Sequence, residues 1–118
     1  MTDSNPLDLA ATRARLAARR RELEELSAGH QQEGRPVELD QARVGRLSRM
    51  DALQAQEMAA ATERRRQLEL ERIDAALERI ASGDFGFCVR CGEDIGLKRL
   101  EFDPTTPLCI TCAQQSER

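Results

Sequence analysis

Cys88, Cys91, Cys109 and Cys112 account for every thiol in the 118-residue chain. They form two C-x-x-C pairs separated by residues 92–108. Each pair can present two sulfurs on one side of a tight knuckle. Two such knuckles facing each other supply four ligands at about 2.3 Å from one ion, the tetrahedral set of a structural zinc site. Gly92 follows the first knuckle, where the chain must turn back and a positive φ is easiest without a Cβ. The same residues also suit a pair of disulfides or a pair of redox dithiols. A reducing compartment favours metal over disulfide, so the expected cofactor is one structural Zn²⁺ on these four residues. Four cysteines close the coordination shell and leave no open position for a reacting water. With no nucleophile–base pair and no phosphate-cradling glycine loop, the chain reads as a non-enzyme.

Composition limits what can position those thiols. A third of the residues are charged, the aromatics are three Phe, and the formal net charge is −3. Such a chain builds helices that bury a narrow stripe and a small unit held by metal, rather than a large core. An acidic balance argues against a general nucleic-acid binder, which needs a basic face. No stretch approaches the roughly 18 apolar residues of a membrane span. Met1–Asn5 lacks the apolar centre of a signal peptide, so the expected location is the cytoplasm.

The expected fold is mainly α: a long antiparallel helical hairpin, then a small four-cysteine zinc finger with a short C-terminal helix. Asn5 and Pro6 suit a cap and first helical position, and the first helix is expected over about 7–28, ending at Ala28-Gly29. Gly34 and Pro36 mark a tip loop over about 29–38, with His30 as an exposed loop side chain. The second helix is expected over about 39–81, interrupted only by Gly45 and ended by Ser82-Gly83-Asp84. Residues 1–81 then form the tail and hairpin, and 82–118 the zinc unit. A hairpin register in which facing residue numbers sum to about 70 pairs Leu26 with Val44, Leu23 with Leu47, Leu16 with Leu53 and Leu9 with Ala61. In that register the pairing ends near Arg64-Arg65-Arg66. Leu70, Ile73, Leu77 and Ile80, at helical spacing, then need cover from the zinc unit or from self-association. Ile95–Phe102 reads as a loop or short strand and Cys109–Arg118 as a closing helix.

Residues 77–112 carry a more specific pattern: Gly83-Asp84-Phe85-Gly86 before Cys88, Gly92-Glu93 and Ile95 after Cys91, then Arg99-Leu100-Glu101, Pro104 and Leu108 before Cys109. This closely resembles the DksA/TraR family of bacterial transcription regulators, with residues 7–76 matching in architecture only. The resemblance implies a zinc finger at the base of an antiparallel coiled coil, and RNA polymerase as partner. It implies that the coiled coil enters the polymerase secondary channel, with acidic tip residues acting on initiation complexes and no sequence-specific DNA binding. The family's tip reads Asp-x-x-Asp-x-Ala; the matching stretch here is Arg35-Pro36-Val37-Glu38-Leu39-Asp40. A count back from Cys88 without a gap instead puts the tip near Ser48–Asp51. The implied partner contacts are Glu38 and Asp40 at the tip, Arg64, Arg65 and Arg66 at the channel rim, and Lys98 and Arg99 beside the knuckle. The nucleotide ppGpp is implied as a co-effector. The family's three basic positions for it fall on Arg72, Asp103 and Ala113, so the expected response is weak or absent. Two further readings use the same residues. One is an adaptor that binds some other protein. The other is a thiol switch in which oxidation ejects zinc, with Arg90 and Lys98 beside the thiols.

Overall fold

The computed structural model describes residues 8–33 and 46–117, with backbone alone at 31–33 and 46–47. The element order is α1 (Leu9–Glu33), α2 (Arg46–Ser82), α3 (Leu97–Phe102) and α4 (Ile110–Ser116). The chain divides into two compact units, Met1–Arg20 with Glu71–Arg118, and Arg21–Leu70. Both long helices pass through both units.

The cap of α1 is Asp8. Its carboxylate accepts the Ala11 N–H at 3.2 Å, and its carbonyl accepts the Thr12 N–H at 2.9 Å, which satisfies donors that the first turn leaves open. Asn5 and Pro6, the expected start, lie outside the described residues. The expected end at Gly29 is wrong. Gly29 stays within α1 and does not take the positive φ of a terminating glycine. A single helical glycine costs only about 1 kcal/mol, and the buried Ser27 just before it keeps this stretch on the interface. His30 is therefore a half-buried helical residue rather than an exposed loop residue. The described part of α2 starts at Arg46 and ends at Ser82, with Gly83 at φ 84°. Residues 39–45, and with them Gly45, lie outside the described residues.

The two helices run antiparallel in each unit, but not in the register that sums to 70. In the first unit Arg20 Nε pairs with Asp74 Oδ1 at 3.1 Å, a sum of 94. In the second, Ser27 meets Glu63 at 3.0 Å and Gln67 at 3.4 Å, sums of 90 and 94. Leu26, Leu53 and Leu9, which the shorter register would bury, are 46%, 59% and 43% exposed. The reason is area. Half of the 52–61 stretch of α2 is alanine, whereas Ile73 and Ile80 each bring about 1.5–3 kcal/mol of burial. Pairing also continues past Arg64–Arg66 instead of ending there.

The first unit holds most of the core. Leu16 of α1 and Ile73, Ala76 and Ile80 of α2 are buried there, as are Phe85, Ile95 and Leu100. The stripe on the second half of α2 is thus covered by the start of α1 and by the cysteine-bearing segment. Within that segment Phe85 and Leu100 are buried and Leu108 half-buried, whereas Phe87 and Ile110 are 47% and 57% exposed. Ile95–Phe102 contains a helix, α3, where a loop or strand was expected; α4 forms as expected within Cys109–Arg118. No helix among the described residues is long and apolar enough to cross a membrane.

Candidate metal centre

The first knuckle sits at the end of a narrow β-like tie. Phe87 and Asp94 form an antiparallel bridge. Inside it the Cys88 N–H donates to the Glu93 carbonyl at 2.7 Å, and the Ile95 N–H donates to Gly86 at 2.9 Å. The chain reverses at Gly92, whose N–H donates to the Cys88 carbonyl and whose φ is 80°, the conformation expected of it. Gly86 is also left-handed at φ 96°, and a Cβ there would lie 3.7 Å from Leu100 Cδ1.

The second knuckle is the N-terminus of α4. Cys109 is its cap, and the Cys109 sulfur accepts the Cys112 N–H at 3.4 Å. Two contacts hold it, one from the first knuckle and one from α3. The Val89 N–H donates to the Pro107 carbonyl at 2.9 Å. The Arg99 guanidinium, reaching from α3, donates Nε–H to the Leu108 carbonyl at 3.0 Å.

The outcome is four sulfurs all within 4.8 Å of one another. Cys88, Cys109 and Cys112 are buried and Cys91 is exposed. The Cys91 and Cys109 sulfurs lie 3.7 Å apart. A tetrahedron with 2.3 Å metal–sulfur bonds has an edge of about 3.8 Å, whereas a disulfide would need about 2.05 Å. All four cysteines are free. The spacing is that of a metal-sized set of four separate thiols, and the donor set fits zinc.

The protonation pattern points the same way. Burial raises Cys88, but backbone N–H groups of Cys109, Cys91 and Arg90 outweigh it and hold the thiol at about 6. Burial pushes Cys112 up to about 12, with the neighbouring thiols adding to the rise. Cys91 is raised as well. The cluster accepts one negative charge readily and resists the next. A divalent cation removes that resistance by neutralising the thiolates as they form.

The other residues singled out from the sequence do not converge on one place. Arg64, Arg65 and Arg66 lie on α2 in the Arg21–Leu70 unit. Arg65 donates to the Thr62 hydroxyl at 3.3 Å, and Arg66 pairs with Glu63 at 3.0 Å. Lys98 is exposed on α3, whereas Arg99 is half-buried and tied to Leu108. Glu38 and Asp40 lie outside the described residues. Sequence reasoning missed two arrangements. One is the node in which Glu63 accepts from Ser27, Arg66 and Gln67 at once; a serine at the interface position after Leu16 and Leu23 was its only signal. The other is the ion pair of Arg72 Nη2 with Asp103 Oδ2 at 3.1 Å. Asp103 also accepts the Thr105 N–H and hydroxyl, at 3.0 and 2.7 Å. Burial raises its carboxyl, but the Thr105 bonds and Arg72 outweigh that and hold it below its ordinary value.

Comparison with known proteins places this arrangement. Residues 83–118 match the prokaryotic dksA/traR C4-type zinc finger. The structure superimposes on that of transcription factor DksA2 from Pseudomonas aeruginosa with a TM-score of 0.74 and 31% identity, covering 92% of this chain and 82% of that one. The chain belongs to the DksA/TraR family. Curated relatives match more locally. The RNA polymerase-binding transcription factor DksA of Haemophilus influenzae is 46% identical over 48 residues, which are 41% of this chain and 33% of that protein. The protein of the same name from Escherichia coli is 42% identical over 48 residues, 32% of its length. The match thus spans about a third of these relatives.

Proposed function

We propose that this chain is a regulator that binds bacterial RNA polymerase, inserts its helical hairpin into the secondary channel and modulates initiation complexes without reading DNA sequence. The observation that carries this reading is the pairing of a C4-type zinc finger with an antiparallel hairpin, in a chain that shares its fold with a transcription factor and local sequence with proteins named for polymerase binding. One Zn²⁺ held by Cys88, Cys91, Cys109 and Cys112 is structural in this reading. When bound, it supplies a cross-link between two knuckles that bury too few apolar residues to hold together alone. Residues 82–118 serve as the base and the hairpin within 1–81 as the arm; the protein works in the cytoplasm and catalyses no reaction.

The tip is where this chain departs from its relatives. Glu38 and Asp40 are the candidate acidic groups, with Arg64–Arg66, Lys98 and Arg99 as candidate contacts along the arm and base. Ser48–Asp51, the stretch reached by the ungapped count, lie within α2, and Arg35–Asp40 lie outside the described residues. For ppGpp the reading is a weak or absent response. Arg72, the one basic residue among the three family positions, is already paired with Asp103.

The decisive experiment is competition with a second channel-binding factor on purified polymerase, joined to transcription from a ribosomal-type promoter. Displacement and altered initiation are expected. Failure to compete, with no polymerase subunit recovered in a pull-down, would move the chain to the adaptor reading. Glu38→Ala/Asp40→Ala, compared with Ser48→Ala/Asp51→Ala, then tells which stretch is the working tip.

A further inference from the structure

Among the described residues Phe102 stands out. It is 87% exposed, where the next large apolar side chain, Met58, is 66% exposed. Phe102 is the last residue of α3, and the positions on either side of it are gripped from other helices. On one side Arg15 of α1 donates Nη1–H to the Glu101 carbonyl at 2.9 Å. On the other, Arg72 of α2 pairs with Asp103 at 3.1 Å. Two residues earlier, on the opposite face of α3, Leu100 is buried, and Arg99 holds the Leu108 carbonyl. The ring is therefore presented on a fixed support. Lys98, also exposed, lies four residues before Phe102 and so on the same face of α3.

The charges around the ring are not balanced. Asp103 is answered by Arg72, and Arg15 is bound to a carbonyl, which leaves its positive charge uncompensated there. Lys98 adds a second cation, against the exposed carboxylate of Glu101 alone. Aromatic and arginine side chains at fixed positions are what interface centres are made of, and a local positive field selects an acidic partner. A symmetric contact between two copies would set these cations against each other. Single-stranded nucleic acid favours several stacking rings along a basic track, and here one ring stands beside Glu101 and Asp103. A protein partner fits best.

We infer that Phe102, flanked by Arg15 and Lys98, is a docking anchor that enters an apolar socket rimmed by acidic side chains on RNA polymerase. This rests on the polymerase reading and adds to it a named contact on the base, away from the hairpin tip.

The test titrates the full zinc-loaded chain onto purified polymerase as wild type, Phe102→Ala and Lys98→Glu. Because the ring is so exposed, helicity and thermal midpoint of Phe102→Ala should equal wild type. Its affinity should fall about tenfold or more, the size expected of a buried aromatic anchor. Lys98→Glu should slow association, and the deficit should shrink as salt is raised. Wild-type binding with Phe102→Ala unchanged overturns the inference and leaves the polymerase reading standing. Absence of wild-type binding overturns both. Loss of self-association or of oligonucleotide binding in Phe102→Ala, with polymerase affinity intact, assigns the ring to another partner and also overturns it.

Discussion

In the unit that carries the cysteines, Leu16, Ile73, Ala76, Ile80, Phe85, Ile95 and Leu100 are all buried; in the Arg21–Leu70 unit the buried side chains among the described residues are Leu23 and Ser27. The first unit is held by apolar area together with a metal-binding thiol cluster. The second is held by one leucine and a polar node, while Met50, Leu53 and Met58 stay 61%, 59% and 66% exposed. Stability is thus distributed unevenly along helices that are continuous in the backbone. A unit built on buried area tolerates little change. A unit built on a polar node has less to lose, and its geometry depends more on hydrogen bonding than on packing.

Four experiments test how sharp that contrast is. The largest effect is expected from the thiol cluster. Strong chelation, or Cys112→Ser, should unfold the cysteine-bearing segment, seen as lost amide dispersion for residues 84–117. Residues 21–33 and 46–70 should keep their helical signals, and their simultaneous loss would show that the two units do not differ in this way.

Next is the apolar core. Ile73 is fully buried, so Ile73→Ala should cost about 2–5 kcal/mol in denaturant unfolding. The same change at Leu53, 59% exposed, should stay within about 0.5 kcal/mol. Equal costs would mean that Leu53 is covered in solution.

The polar node should give a smaller and pH-dependent effect. Glu63 is held below its ordinary 4.5 first by Gln67, then by Arg66 and Ser27 against burial. A lowered folded-state value means that its stabilisation is full above the unfolded value and is lost as pH falls through the folded one. Glu63→Gln should therefore lower stability by about 1 kcal/mol at pH 7, and the gap from wild type should close below pH 4.5. A constant gap would show that the carboxylate charge plays no part.

The smallest effect is expected at the surface ion pair of Arg20 with Asp74, whose side chains are 45% and 48% exposed. Asp74→Asn should change stability by less than about 1 kcal/mol, because its role is to match register rather than to add energy. A larger loss in thermal midpoint would make it a fastening of the cysteine-bearing unit.

Much of this was legible in the residues. Two C-x-x-C pairs specify a metal-sized cluster, because the spacing fixes each knuckle locally and Gly92 supplies its turn. Ser82-Gly83 ended α2 as expected, for the same local reason. Local reasoning failed where two signals competed. Gly29 has the composition of a helix end, but the interface position of Ser27 just before it kept this stretch of α1 helical. Leu97–Phe102 is too short for periodicity to announce a helix, and it forms because Leu100 is buried and Arg15 and Arg99 tie it to its neighbours.

By itself the sequence determined the heptad leucines, the apolar stripe of α2 and the four thiols that must meet. It did not determine which stretch of α2 the leucines of α1 would face, because the alanine-rich 52–61 segment and the 70–80 stripe both satisfy the helical period. Tertiary structure decided that by area, choosing isoleucine and leucine over alanine, and by polarity, seating Ser27 against Glu63 and Gln67. It likewise decided that Phe102 would face water while Leu100 turned inward, since both are apolar and only their places on α3 separate them.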